Sequence, residues 1–338
     1  MADINYKKDD FIIKGNSIVG LKKSGYKKLA LTHILEIPAI QGVQTLGSNL
    51  IKKEHANDIS NLYISEGIEC IENNAFSLCA VEDVHFPESL KKIGEKAFCS
   101  SSLLDLYIPK NVIEIGMNAF CCNPLITADL SDSSITTLEY GLFDSCRDLE
   151  SVKLPDKLTA ILDEAFLNNC SLTDITFPES LTHIYDSAFK SSGLTRVHIE
   201  GDSELEYIGA NAFSGSKLEE LDFSKLRNLK TIEPWAFGGV NLKEVNIKHN
   251  VDVYEGAFYR ARVKTLVVNA ELEETEKGIF EESSFCNVFI NSTTIPEETF
   301  KNAYIKNIKF KNVKKISKSA FEGVVGLELN IPDDVELY

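Results

Sequence analysis

Apolar residues recur along this chain at fixed offsets. An Ala-Phe pair stands at Ala75-Phe76, Ala97-Phe98, Ala119-Phe120, Ala165-Phe166, Ala188-Phe189, Ala212-Phe213, Ala236-Phe237, Ala257-Phe258 and Ala320-Phe321, and Leu142-Phe143, Ile279-Phe280 and Thr299-Phe300 fill the gaps. The ring thus returns every 20 to 24 residues from Phe76 to Phe321. Five residues ahead of each Phe stands another apolar residue, from Ile71, Ile93 and Ile115 through Ile295 and Ile316, with Thr275 the exception. Between one Phe and the next lies a short alternating run, such as Leu62-Tyr63-Ile64, Leu106-Tyr107-Ile108, Ile175-Thr176-Phe177 or Val245-Asn246-Ile247. That alternation is the period of a half-buried strand, and a repeat of this length is the signature of a stacked solenoid.

One coil offers about six apolar positions, too few to bury alone, so neighbours must stack to turn them into continuous columns. The Phe column is the heaviest, since each ring removes roughly 150–250 Å² from water. Proline follows several of the strands in one register, at Pro38, Pro87, Pro109, Pro155, Pro178 and Pro332. Lacking an N–H, it stops each strand after a few residues. Strands centred near Ile37, Ile64, Phe86, Ile108, Leu130, Leu154, Phe177, Ile199, Phe223, Ile247, Val268, Ile290, Phe310 and Ile331 predict 14 coils in one elongated domain over residues 35–338. Ahead of them, Phe11 to Leu21 reads as two short strands around a Gly15-Asn16 turn. A hairpin there, within residues 1–34, would cap the exposed end of the stack.

The unit Leu103-Leu104-Asp105-Leu106-Tyr107-Ile108-Pro109-Lys110-Asn111-Val112-Ile113-Glu114-Ile115-Gly116-Met117-Asn118-Ala119-Phe120 resembles the BspA-type leucine-rich repeat. The resemblance covers roughly residues 35 to 338, begins with a coil carrying Leu50-Ile51 in place of Ala-Phe, and departs from the pattern around Thr275 and Thr299. It implies an α/β-type repeat solenoid, strand-rich, a right-handed superhelix with one short parallel strand per coil and little regular helix. Because many such proteins are surface-associated, it also implies an adhesion or ligand-binding module.

Composition narrows the partners. A net charge of −16 opposes binding to nucleic acid or anionic lipid. A local exception is the collection of Lys306, Lys309, Lys311, Lys314, Lys315 and Lys318, which reads either as a solvated face or as a phosphate or glycan contact. No run approaches a membrane span, and Met1 to Asp10 lack the apolar core of a signal peptide. The resemblance implies a cell-surface or secreted location, and the lack of a signal-peptide core makes the cytoplasm the alternative. Of the eight cysteines, Cys79, Cys99, Cys121, Cys122, Cys146 and Cys170 lie one to four residues after a Phe. They are expected to be mostly free thiols filling a tight bend, and Cys99 with Cys121 is the pair a disulfide would join first. Cys121-Cys122 lacks the partners of a zinc site.

Enzyme signatures are missing: no nucleophile elbow, zincin helix, P-loop or dinucleotide turn occurs. The histidines His33, His55, His85, His183, His198 and His249 are scattered over separate coils. Asp83 and Asp105 fall about one strand apart, but an open sheet face gives no reason for one carboxyl to stay protonated. No cofactor or metal is expected. Asn169-Cys170-Ser171 and Asn291-Ser292-Thr293 match the N-glycosylation tripeptide.

Function therefore falls to the outward strand positions. One column reads Tyr63, His85, Tyr107, Asp129, Lys153, Thr176, His198, and its companion two residues upstream reads Asn61, Asp83, Asp105, Thr127, Ser151, Asp174, Arg196. Tyr63, His85 and Tyr107, flanked by Asp83, Asp105 and Asp129, form the candidate ligand-binding face, because rings on a rigid sheet anchor interfaces. Cross-strand packing on a solvated face explains the same rings equally well. Val267 with Phe289 is a second exposed apolar pair. The expected function is non-enzymatic binding of a protein or extracellular-matrix ligand, with a glycan as a further possibility. An intracellular scaffold is the alternative, and a glycan-processing enzyme is less favoured.

Overall fold

The computed structural model describes residues 5–248, 251–272, 277–326, 331–332 and 334–338. It divides into two compact units, one running to Leu158 and including Glu164–Leu172, the other comprising Thr159–Asp163 and Thr173–Tyr338. Each is a parallel β-solenoid with little helix.

In the first unit a broad face carries two three-stranded parallel sheets. One holds Ile34–Ile37, Asn61–Ile64 and Asp83–His85, the other Asp105–Tyr107, Thr127–Asp129 and Ser151–Lys153. The second unit repeats the plan with Asp174–Phe177, Arg196–Ile199 and Glu220–Leu221, then with the longer strands Asn241–Lys248, Arg262–Asn269, Ser284–Asn291 and Tyr304–Lys311. Thirteen of the fourteen expected strands are present in this way. The last, at Ile331, falls where residues 327–330 and 333 lie outside those described, as do Thr275 and His249. Two-residue strands such as Cys70–Ile71, Lys92–Ile93 and Glu114–Ile115 form a narrow sheet at the opposite edge of each coil, every Ile of it buried.

The Phe column forms as the period requires. In the first unit Phe76, Phe98, Phe120, Phe143 and Phe166 are fully buried, with successive ring centroids 5.3, 5.8, 6.1 and 5.5 Å apart and planes within 23°. In the second, Phe189, Phe213, Phe237, Phe258, Phe280 and Phe300 continue at 5.1–5.5 Å. Phe321 stacks on Phe300 at 5.3 Å but is only half-buried, so it differs from the fully covered rings expected from the repeat. In the first coil Leu50 N–H donates to the Ala75 carbonyl (3.1 Å), as Phe76 N–H does to Ala97 (2.8 Å). Leu50 itself, not Ile51, therefore occupies the Phe register.

The turn around each ladder Phe has a regular backbone. The residue before the pair and the second residue after the Phe both adopt positive φ: Asn74 (58°) with Leu78 (61°), Lys96 (53°) with Ser100 (52°), Asn118 (56°) with Cys122 (56°), Asn211 (56°) with Gly215 (67°). Alternating the hand of the backbone in this way turns alternate N–H groups to one side. Lys96, Phe98 and Ser100 accordingly donate to the carbonyls of Met117, Ala119 and Cys121 in the next coil at 2.9–3.0 Å. An L-residue pays about 1–2 kcal/mol in the left-handed region, and these inter-coil bonds hold it there. Three residues after the Phe, a buried polar side chain reaches back to the Phe carbonyl of the preceding coil: Ser101 to Phe76 (2.9 Å), Asn123 to Phe98 (2.7 Å), Asn169 to Phe143 (2.8 Å). Cys146 takes the same place, its thiol donating to the Phe120 carbonyl (3.2 Å). That thiol is thus a donor in a polar position as well as a space-filler. Asn169, fully buried and so engaged, is closed to glycosylation in the folded chain.

The hairpin pairs Phe11–Lys14 with Ser17–Leu21 antiparallel, and its second strand joins the narrow sheet at Thr45–Leu46. A helix, Lys23–Thr32, was not anticipated and follows the hairpin. It buries Tyr26 and Leu29, and Gly25 is required because a Cβ there would lie 2.7 Å from the Asp10 carbonyl oxygen. Tyr26 stacks on His55 at 4.1 Å and accepts the Lys52 N–H at 3.1 Å. Buried Asp10 accepts from Lys28 Nζ (2.8 Å) and from the Lys7 N–H (2.9 Å). Burial raises its pKa, but these donors together with Ser24 outweigh it and hold the carboxyl below its ordinary value.

Two predictions follow from packing and charge. Phe166→Ala should cost about 3–5 kcal/mol in denaturant unfolding, and Phe321→Ala distinctly less; equal costs would contradict the difference in burial. Because its folded pKa is depressed, Asp10 contributes stability above the ordinary carboxylate value near 4 and loses it as pH falls through the lower folded value. Hydrogen-exchange protection across residues 23–32, taken relative to the intrinsic rate at each pH, should fall at acid pH in the native chain, and Asp10→Asn should show the reduced protection already at pH 7.

Candidate functional site

Alternation along the broad strands places the expected residues outward. Tyr63 is 40% exposed and its ring lies on His85 at 4.4 Å with planes 9° apart. These two stand opposite each other in the paired strands Asn61–Ile64 and Asp83–His85. His85 Nε2 sits 3.0 Å from Asp83 Oδ2. Ring, imidazole and carboxylate therefore form one connected cluster.

Tyr107, Asp105 and Asp129 belong to the neighbouring sheet. Between Asp83–His85 and Asp105–Tyr107 the strand ladder is interrupted, and a Leu104 N–H to Glu82 carbonyl bond (3.2 Å) bridges the two coils. The Tyr107 hydroxyl donates to Asp132 Oδ2 at 2.8 Å, which raises its pKa to about 12, with desolvation adding to the effect. Asp105 accepts from Thr127 (2.6 Å). Asp129 accepts from Lys153 Nζ (2.7 Å) and from Ser131, and these bonds outweigh its burial and keep the carboxyl below its ordinary value. The six-residue face is thus two clusters, one centred on the stacked pair and one on a tyrosine already engaged by a carboxylate.

Farther along, the second unit carries features that single-column reading missed. Each of the four long strands has two consecutive outward residues: Lys243-Glu244, Lys264-Thr265, Cys286-Asn287 and Lys306-Asn307. A shallow groove of about 370 Å³ crosses the strands, lined by Leu242, Arg262, Lys264, Phe285, Cys286 and Tyr304 among others. Three of these strands, Arg262–Asn269, Ser284–Asn291 and Tyr304–Lys311, contain no carboxylate. Their cations Arg262, Lys264, Lys306, Lys309 and Lys311 make no ion pair among the described residues. Lys309 lies over the ring of Phe289, 39% exposed, at 5.9 Å, while Val267 is half-buried. Amides bridge the strands, Asn307 to Asn287 (3.2 Å) and Asn312 to Asn291 (2.8 Å). In the preceding strands, by contrast, Glu220 sits between Lys243 and Arg196, which draw its pKa down to about 2. The carboxylate-free strands were visible in the sequence, but their meeting in one sheet needed the register.

A family profile described as the BspA type Leucine rich repeat region (6 copies) matches residues 44–169, 136–259 and 206–328. The chain belongs to this family. Among solved structures it is similar to a leucine-rich repeat protein from Bacteroides ovatus, at 19% identity over 99% of this chain and 97% of that one, with a TM-score of 0.46. A leucine rich cell surface protein from Faecalibacterium prausnitzii is 21% identical over 96% and 93%, TM-score 0.46. The T. pallidum Leucine Rich Repeat protein is 18% identical over 68% of this chain and 98% of its own, TM-score 0.47. No curated protein matches the chain.

As a BspA-type repeat chain it belongs to a group of protein-interaction or surface repeat modules that are not generally enzymatic. Among the described residues no three His, Cys, Asp or Glu side chains are grouped to hold a metal ion, and no helix is long and apolar enough to cross a membrane.

Proposed function

We propose that the chain is a non-enzymatic adhesion module that holds a protein or matrix ligand on the outward face of its broad sheets, with Tyr63 and His85 as the anchor. The observation that carries this reading is the stacked pair itself, two flat rings in register on paired strands, exposed rather than used in the core. Such a pair buries a large area on contact at little entropic cost. Asp83 supplies a polar rim to the pair, and Tyr107, Asp105 and Asp129 extend the contact across the interruption in the ladder.

A second reading rests on the carboxylate-free strands. In a chain of net charge −16, five cations without carboxylate partners, exposed rings and bridging amides favour an anionic glycan lying across the outward side of these strands. Lys309 and Lys311, with Lys306 beside them, come from the lysine collection legible in the sequence.

Capture of surface proteins by the purified chain should fall at least tenfold for Tyr63→Ser/His85→Ser while the thermal transition stays in place; an unchanged captured set would sink the first reading. A sulfated polysaccharide should bind in a salt-dependent manner, and Lys306→Gln/Lys309→Gln/Lys311→Gln should flatten that salt slope by about three ion equivalents. Binding that ignores both salt and the triple substitution would refute the second.

A further inference from the structure

Cys99 and Cys121 each follow a ladder Phe directly, in adjacent coils. The same register elsewhere holds Ser77, Asp144, Leu167, Lys190 and Ser214, so two thiols face each other across this one joint. Their sulfurs lie 2.7 Å apart, with the Cys121 thiol donating to Cys99. Inter-coil backbone bonds on either side, Phe98 N–H to Ala119 and Ser100 N–H to Cys121, both 2.9 Å, fix the two backbones at sheet-like separation. That spacing, ~4.8 Å, falls within the Cα range a disulfide spans.

We propose that Cys99 and Cys121 form a reversible disulfide clamp between adjacent coils, made by exchange with a low-molecular-weight disulfide. The Cys99 thiolate attacks one sulfur of the small disulfide, whose S–S bond breaks and releases one thiolate. Cys121 then loses its proton and attacks Cys99 Sγ, expelling the second small thiolate and closing the protein bond. Two protein thiols are oxidised by two electrons, the small disulfide is reduced to two thiols, and the two protons end on them. The environment suits these roles. Cys99 is half-buried and reachable, Cys121 nearly covered. The hydrogen bond from Cys121, helped by Ser100 and Lys96 against burial, lowers the Cys99 pKa, whereas Cys121 is pushed up. Cys99 therefore attacks and Cys121 resolves.

The clamp has a place in the architecture. Cys99 belongs to the coil of Asp83–His85 and Cys121 to the coil of Asp105–Tyr107, the two coils between which the broad-face ladder is interrupted. A covalent bond at their far edge ties together the two clusters of the candidate face. The chemistry does not depend on that face being a binding site.

The full chain, incubated with oxidised glutathione near pH 8 and mapped by peptide mass with fragmentation, should yield a Cys99–Cys121 link, losing two hydrogens and two of its eight thiols. Cys121→Ser should instead accumulate stable glutathione on Cys99. With wild-type chain alone, iodoacetamide at pH 7 should alkylate Cys99 faster than the exposed Cys170 and Cys286. Linkage chiefly through Cys122 or Cys146, or Cys99 alkylated more slowly than Cys286, would overturn the proposal.

Discussion

No coil in this chain can bury its own apolar residues, and everything else about the molecule depends on that insufficiency. A Phe ring at 0% exposure owes its burial to the rings above and below it, so stability is a property of neighbouring pairs and not of any one segment. The half-buried Phe321 shows the converse, where a ring covered on one side by Phe300 keeps part of its surface open. Because the core is assembled from side chains on one side of each strand, the other side is released from packing duty. That freedom lets outward columns differ so widely, from stacked rings near Tyr63 to bare cations near Lys309.

The repeat was legible because it is carried by residues with few substitutes. A ring at each twentieth-odd position, a small residue beside it and proline after the strand each answer a local geometric demand, and together they locate thirteen described strands. What escaped was whatever depends on which atoms meet. The helix Lys23–Thr32 carries lysines and a glycine with little periodic apolar signal, and what seats it is the close approach of Gly25 to the Asp10 carbonyl and the stacking of Tyr26 on His55. Likewise Cys146 looks like filler in the sequence, and its donor role emerges beside Asn123 and Asn169 in equivalent positions.

The candidate face was read from alternation alone, which fixes orientation but not continuity. Alternation placed Tyr63, His85 and Tyr107 outward, where they are. It carried no information on the break in strand pairing between His85 and Tyr107, nor on Asp132 claiming the Tyr107 hydroxyl. Two consecutive outward residues, as in Lys264-Thr265, violate strict alternation. A period-two template therefore skips them, although Lys243, Lys264 and Cys286 line the groove.

The turns that flank each Phe have one further implication. Alternate amides of each turn, such as those of Lys96, Phe98 and Ser100, address the following coil, whereas amides beside the narrow sheet, such as those of Gly94 and Gly116, address the preceding one. Each coil thus meets its successor with donors along one edge and acceptors along another, and a coil laid in the reverse sense would set like against like at both.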